Sequence, residues 1–185
     1  MVDEVLADMK KEMDQTVASF RKELARTRTG RASPALLEGL TVEYYGTKTP
    51  LIQLAGISAP EPRLLVVQPY DKGALGSIEK AILQSDLGLT PVNDGKILRI
   101  PIPELTEERR RDLVRHVRRV AEEFRISIRN HRRDAIEMLR EMEKEKEITE
   151  DDFHRAQERV EETTREYIGR IDKMLKAKEE EILEV

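Results

Sequence analysis

Apolar residues in the first part of the chain recur at steps of three or four, which is the spacing of one face of an α-helix. This spacing predicts a helix over residues 3–28. Thr29 and Gly30 follow it, and Gly30 is a suitable helix C-cap. The apolar series consists of Val2, Leu6, Met9, Met13, Val17, Phe20 and Leu24.

Two similar series occupy the last part of the chain. Thr106 is placed to cap a helix over residues 106–146, and Thr149 with Asp152 has the spacing of a capping box that begins a third helix. The short connection between them predicts that these two helices are antiparallel, and all three form an antiparallel bundle. The two series are Leu113, Val117, Val120, Phe124, Ile128, Ala135, Leu139 and Met142, then Phe153, Ala156, Val160, Tyr167, Ile171, Leu175 and Ile182.

The middle of the chain has a different pattern. All eight Pro lie between Pro34 and Pro103, and eight of the nine Gly lie between Gly30 and Gly95. Alternating, β-rich segments at 40–45, 63–68 and 97–102, with helical spacing over 74–85, predict a small β/α/β domain. We therefore expect an α+β protein in which a three-helix bundle (1–29 and 106–185) carries an inserted β/α/β domain (31–104).

Two chain connections, near 30–34 and 101–105, cross this predicted boundary. A paired connection restricts motion to bending, so both are hinge candidates; a rigid joint is the alternative. The candidate hinge residues are Arg28, Thr29, Gly30, Arg31, Pro101, Pro103, Leu105 and Thr106.

The charges on the second predicted helix are sorted by face. At about 100° per residue, nine arginines fall within an arc of roughly 140° beside the apolar face, and most acidic residues of the helix fall on the other side. Residues 109–133 hold ten Arg and three acidic residues, a local balance of +7 in a chain of net charge −4. We call these nine residues the arginine face: Arg110, Arg111, Arg115, Arg118, Arg125, Arg129, Arg132, Arg133 and Arg140.

The use of Arg without Lys favours bidentate contacts with phosphate over simple solubility. The arginine face therefore predicts nucleic-acid binding, with an acidic protein docked on a helical adaptor as the alternative. His116 is a conceivable phosphotransfer residue, but the sequence contains no catalytic signature, and we expect no enzymatic activity, no cofactor and no metal site.

The composition limits where the protein works. The chain has no Cys, begins with an acidic segment in place of an apolar signal, and has no apolar stretch long enough to span a membrane. We expect a cytoplasmic protein without a membrane partner.

Several segments match a known family in order and along the full length: Arg28-Thr29-Gly30-Arg31-Ala32-Ser33-Pro34, Val42-Glu43-Tyr44-Tyr45-Gly46, Ser85-Asp86-Leu87-Gly88, Leu105-Thr106-Glu107-Glu108-Arg109-Arg110 and Arg129-Asn130-His131-Arg132-Arg133. They resemble the bacterial ribosome recycling factor family. One departure is His131, where the family usually has an aliphatic residue.

The resemblance implies an L-shaped, monomeric translation factor that binds rRNA of the large ribosomal subunit after termination. With elongation factor G and GTP, such a factor splits the ribosome for recycling. The family's rRNA-facing arginines map onto Arg110, Arg129 and Arg132. Together with their neighbours on the arginine face, they give the predicted rRNA-binding set: Arg110, Arg118, Arg125, Arg129, Arg132 and Arg133.

Overall fold

The computed structural model describes residues 1–27 and 29–184. The chain divides into two compact units. Met1–Leu24 and Arg111–Val185 form the helical unit, and Ala25–Arg110 form the smaller unit. The α+β class is confirmed, because three long helices flank a segment that contains six strands. The domain limits inferred from the sequence stay a prediction.

The helical unit contains most of α1 (Val2–Arg26) and α4 (Glu107–Lys144) and the helix α5 (Glu150–Leu183). Phe20 of α1 packs on Phe124 of α4 with ring centroids 5.2 Å apart. Contacts from α4 to the other two helices run in opposite chain directions, so α4 is antiparallel to both.

The predicted apolar faces form the core of this unit. On α5 every predicted apolar residue is buried, and Thr164 is buried with them. The Thr164 hydroxyl is satisfied there, because it donates to the Val160 carbonyl at 2.7 Å. On α4, Val114 and Ala121 are buried, whereas Val120 and Phe124 are half-buried. None of the described helices is long and apolar enough to cross a membrane.

The turn between α4 and α5 satisfies the free backbone groups of both helix ends. Glu147 N donates to Met142 O at 2.8 Å and Lys146 N to Glu143 O at 3.0 Å, a Schellman arrangement with Lys146 at φ +59°. Thr149 and Asp152 form the predicted capping box at the start of α5. The backbone and side-chain hydrogen bonds with Thr149 hold the pKa of Asp152 below its usual value.

The smaller unit contains a two-stranded sheet, β1 (Thr41–Tyr44) with β2 (Thr47–Pro50), and a four-stranded antiparallel sheet. The order in the second sheet is β3-β4-β6-β5, and the elements are β3 (Ala55–Glu61), β4 (Leu64–Pro69), β5 (Val92–Asn93) and β6 (Leu98–Pro101). A short helix α2 (Leu51–Leu54) and the predicted helix α3 (Leu75–Gln84) complete the unit.

The predicted strands correspond to β1, β4 and β6, while β2, β3 and β5 were not predicted. The three missed strands have mostly exposed or half-buried side chains and lie in the two-stranded sheet or at the edges of the larger one. They lack the alternation of buried and exposed positions that reveals a strand in a sequence.

Candidate nucleic-acid interface

The five predicted arginines of the helical unit project from α4, but their surroundings differ. Arg118 lies beside α5, and its Nε donates to Glu179 at 2.6 Å. This hydrogen bond raises the pKa of Arg118. The charge of Arg118 is therefore already balanced by a carboxylate of its own unit.

Arg125 is the most enclosed of these side chains, with 19% of its surface exposed. It donates to Asp172 of α5 at 2.6 Å and to Glu122 at 3.1 Å. Burial lowers the pKa of Arg125, but the hydrogen bonds to the two carboxylates outweigh it and keep the pKa above its usual value. Two acidic partners hold this guanidinium in place.

Glu122 joins two members of the arginine face. It accepts from Arg129 at 3.0 Å and from Arg125 at 3.1 Å. The hydrogen bond from Arg129, followed by that from Arg125, lowers the pKa of Glu122. Arg129 thus shares one carboxylate with a neighbour, and a part of its charge is available to another anion.

Of these five arginines, Arg132 and Arg133 have the weakest contacts with carboxylates of the protein. The distance from Arg132 to Glu161 is long, 3.9 Å, and 37% of the Arg132 side chain is exposed. Arg133 is exposed and donates to the amide oxygen of Asn130 at 3.1 Å. Within residues 1–27 and 29–184, no carboxylate forms an ion pair with Arg133.

Arg110 belongs to the smaller unit and is described with it. Thr106 caps the start of α4, since Arg109 N donates to Thr106 Oγ1 at 3.1 Å and Arg110 N to Thr106 O at 3.0 Å. The Nε of Arg110 is buried, and no described protein group accepts its hydrogen bond.

The predicted separation of charge on α4 is incomplete. Asp112 contacts Arg115 at 3.7 Å, and α5 supplies acidic partners that the arginine face was not expected to have. The missed residues are Asp172 and Glu179, whose spacing of seven places them on one face of α5. That spacing was visible in the sequence, but it gains meaning only once the register of α5 against α4 is known.

The candidate hinge residues within the described ranges all belong to the smaller unit. Gly30 has φ +82°, and a Cβ there would lie 3.2 Å from Leu105 Cγ. Its predicted role as the C-cap of α1 is wrong, because the helix ends at Arg26. Arg28 lies outside the described residues.

The rest of the two connections is tied to the larger sheet. Thr29 is buried, while Pro101 and Pro103 are exposed. Arg31 is followed by Ala32, whose N donates to Pro62 O at 2.6 Å, and Ile102 N donates to Arg63 O at 2.9 Å.

Two of the three histidines lie beside carboxylates. His131 lies at the edge of the helical core, with Nε2 3.0 Å from Thr16 Oγ1 and Nδ1 3.0 Å from Glu12. These two polar neighbours on α1 accommodate the imidazole of His131. His154 is 3.7 Å from Glu150 on the surface of α5.

Comparison with known proteins agrees with this arrangement. A model of the family described as "Ribosome recycling factor" matches residues 20–183. A ribosome-recycling factor of Carboxydothermus hydrogenoformans is 54% identical over 185 residues, and one of Bacillus subtilis is 52% identical over 185 residues, with 100% of this chain and of each relative covered.

Two solved structures are similar over nearly the whole chain. The solution structure of a ribosome recycling factor has a TM-score of 0.81 and 43% identity, covering 100% of this chain and 98% of that one. A T. thermophilus ribosome recycling factor, described with elongation factor G of E. coli on the E. coli post-termination complex, has a TM-score of 0.70, 49% identity and 99% coverage of both chains. The family model and these full-length similarities show that the chain belongs to the ribosome recycling factor family.

Proposed function

We propose that this protein binds the large ribosomal subunit after termination and, with elongation factor G and GTP, splits the post-termination ribosome. Family membership supports this function, and so does the similar chain described with elongation factor G on a post-termination complex. On this proposal the protein is a cytoplasmic, monomeric translation factor that needs no cofactor and has no enzymatic activity of its own.

The arginine face is the proposed contact with rRNA. The observation that carries this assignment is the set of incompletely neutralised guanidinium groups at Arg129, Arg132 and Arg133 on one stretch of α4. Guanidinium groups form paired hydrogen bonds with phosphate oxygens, so three in succession suit a folded RNA backbone. Arg110, Arg118 and Arg125 belong to the same proposed surface but begin with less free charge or less access.

The proposed mechanism is mechanical. The arginine face holds rRNA while elongation factor G pushes on the smaller unit, and the hinge converts the push into movement of the helical unit. The 38 residues of α4 form a rod of roughly 57 Å, which is long enough to transmit a local push over a large distance. On this proposal the protein itself catalyses no reaction, because GTP hydrolysis by elongation factor G supplies the free energy for splitting.

Light scattering by post-termination ribosomes tests this function directly. We expect scattering to fall when the protein, elongation factor G and GTP are all present, and to stay constant when any one is left out. Co-sedimentation of the protein with large subunits should also disappear after nuclease treatment. Binding that survives nuclease would instead favour an acidic protein as the partner of the arginine face.

Arg132→Ala tests the contact with rRNA. Removal of one charged hydrogen-bonding group should weaken large-subunit binding by about 1–3 kcal/mol. Circular dichroism should show an unchanged helix content, because the ion pair of Arg132 is long and exposed. Unchanged affinity in a folded variant would remove Arg132 from the interface.

A further inference from the structure

The ion pairs between α4 and α5 follow a regular register. Arg118 contacts Glu179, and Arg125, seven residues later, contacts Asp172, seven residues earlier on the antiparallel helix. Both distances are 2.6 Å. A step of seven returns to almost the same side of a helix, so these pairs are successive rungs along one edge of the α4–α5 interface.

The third rung of this register breaks the pattern. Seven residues beyond Arg125 is Arg132, and seven residues before Asp172 is Arg165. The rung therefore places two arginines where the earlier rungs pair an arginine with a carboxylate. Arg132 contacts Glu161, one helical turn from Arg165, and does so only at 3.9 Å.

Arg165 differs from three other arginines of its helix. Arg155 is paired with Asp152 at 2.7 Å, Arg159 with Asp3 at 3.1 Å and Arg170 with Glu166 at 2.7 Å. Arg165 is exposed, and in the described part of the chain no side chain forms an ion pair or hydrogen bond with it. The register of the first two rungs places this exposed guanidinium opposite Arg132, whose own ion pair is long.

We propose that Arg165 binds an RNA phosphate and, with Arg132 and Arg133, forms a phosphate-binding patch that spans α4 and α5. Two like charges on adjacent helices repel one another, and a phosphate between them offsets that repulsion while it accepts hydrogen bonds from both. The inference rests on the proposed function, since it names a further residue of the same rRNA interface.

The salt dependence of large-subunit binding tests this patch. Each phosphate that the protein no longer neutralises should reduce the slope of log K against log salt by roughly 0.7 to 0.9. Arg165→Gln should therefore flatten the slope by about the value for one phosphate and weaken binding roughly tenfold. The matched control is Arg159→Gln, which removes the same charge from the same helix at a position already paired with Asp3; it should leave the slope unchanged.

A second substitution exploits the broken rung. Arg165→Glu should complete the register and pair with Arg132 as Glu179 pairs with Arg118. In this variant position 165 has lost its positive charge and Arg132 is paired with the new carboxylate, so neither residue neutralises a phosphate. The slope of log K against log salt should therefore fall by about twice as much as in Arg165→Gln. Arg159→Glu makes the same change in net charge and should not reproduce the effect.

The outcomes distinguish failure of the patch from failure of the proposed function. A wild-type protein that fails to bind large subunits, or binds with no salt dependence, would overturn both. Salt-dependent binding by wild type with unchanged slopes for both Arg165 variants would overturn the patch alone. Equal effects at positions 159 and 165 would also overturn it, because they would reflect net charge and not a specific phosphate.

Discussion

At the scale of single residues, a hydrogen bond between Tyr167 and Asp14 connects α5 to α1 at the edge of an apolar core. The Tyr167 ring is fully buried, its hydroxyl donates to Asp14, and Arg170 lies over the ring with its Cζ 4.5 Å from the centroid. Burial, and then the hydrogen bond to Asp14, raise the pKa of Tyr167 to about 12. The helix periodicity predicted the buried ring, but nothing in the sequence identified its acceptor on another helix.

Tyr167→Phe should keep the packing of the ring and remove this bond. We expect the free energy of unfolding to fall by roughly 1.5–3 kcal/mol, the range for hydrogen bonds to charged groups. Urea unfolding followed by circular dichroism measures it. Tyr44→Phe is the matched control, because Tyr44 donates to Asp71 at 2.6 Å in a solvent-exposed bond and should contribute much less.

The same bond gives the stability of the protein a definite pH dependence. The folded-state pKa of Tyr167, about 12, lies above the ordinary value of 10.0. The folded state therefore holds the proton more tightly, and the contribution is complete below pH 10 and disappears as pH rises towards 12. The difference in unfolding free energy between wild type and Tyr167→Phe should shrink over that interval. A constant difference would show that the hydroxyl is not desolvated in the fold.

At the scale of elements, the turn between α4 and α5 contains one residue in an unfavourable backbone conformation. Lys146 has φ +59° at the position where a Schellman motif usually has Gly. A side chain in this conformation costs roughly 1–2 kcal/mol, part of which Gly loses again through its greater freedom in the unfolded chain.

Lys146→Gly should therefore raise the free energy of unfolding of the helical unit by about 0.5–1 kcal/mol. Lys176→Gly, an exposed change inside α5, should instead lower it by about 1 kcal/mol, because Gly is a poor helix former. Urea unfolding curves of the two variants give the comparison. Destabilisation by both substitutions would mean that the positive φ at Lys146 carries no strain.

Elements with a buried face could be predicted from the sequence, and elements without one could not. The helices α1, α3, α4 and α5 and the strands β4 and β6 carry the periodicity of their buried side chains, whereas the four-residue helix α2 is too short to show one and was not predicted. Thr106 and Thr149 mark helix starts through capping chemistry that is local in sequence. Strands β2, β3 and β5 exist because a neighbouring strand satisfies their backbone groups. That pairing is a property of the partner strand and leaves little trace in their own residues.

At the scale of the whole molecule, the same contrast applies to the candidate site. The arginine face was predicted from α4 alone, and its nine residues all lie within that helix. Arg118 and Arg125 are neutralised by carboxylates of α5, whereas Arg132 and Arg133 are not closely paired. This difference depends on which residues of α5 lie opposite, and a helical wheel of α4 alone contains no such information. The free positive charge of the arginine face is therefore determined by α4 and α5 together.

The proposed function requires the two units to move, and Gly30 is the residue at which that requirement can be tested. Gly30 has φ +82° and packs against Leu105, so the two predicted hinge connections meet there. Gly39 has nearly the same conformation, φ +81°, but a Cβ at Gly39 would have no heavy atom within 4 Å. Substitution by Ala imposes similar backbone strain at both positions, roughly 1–2 kcal/mol, and only at Gly30 does it press a methyl group against the other connection.

We expect Gly30→Ala to lower the rate of ribosome splitting with elongation factor G by several-fold, while large-subunit affinity changes less than about twofold, because the arginine face is untouched. Gly39→Ala should leave the ratio of splitting rate to affinity at the wild-type value. Stopped-flow light scattering gives the rate, and co-sedimentation gives the affinity. A parallel decline of splitting and binding in Gly30→Ala, or the same change in Gly39→Ala, would mean that the connection near Gly30 stabilises the smaller unit and does not act as a hinge.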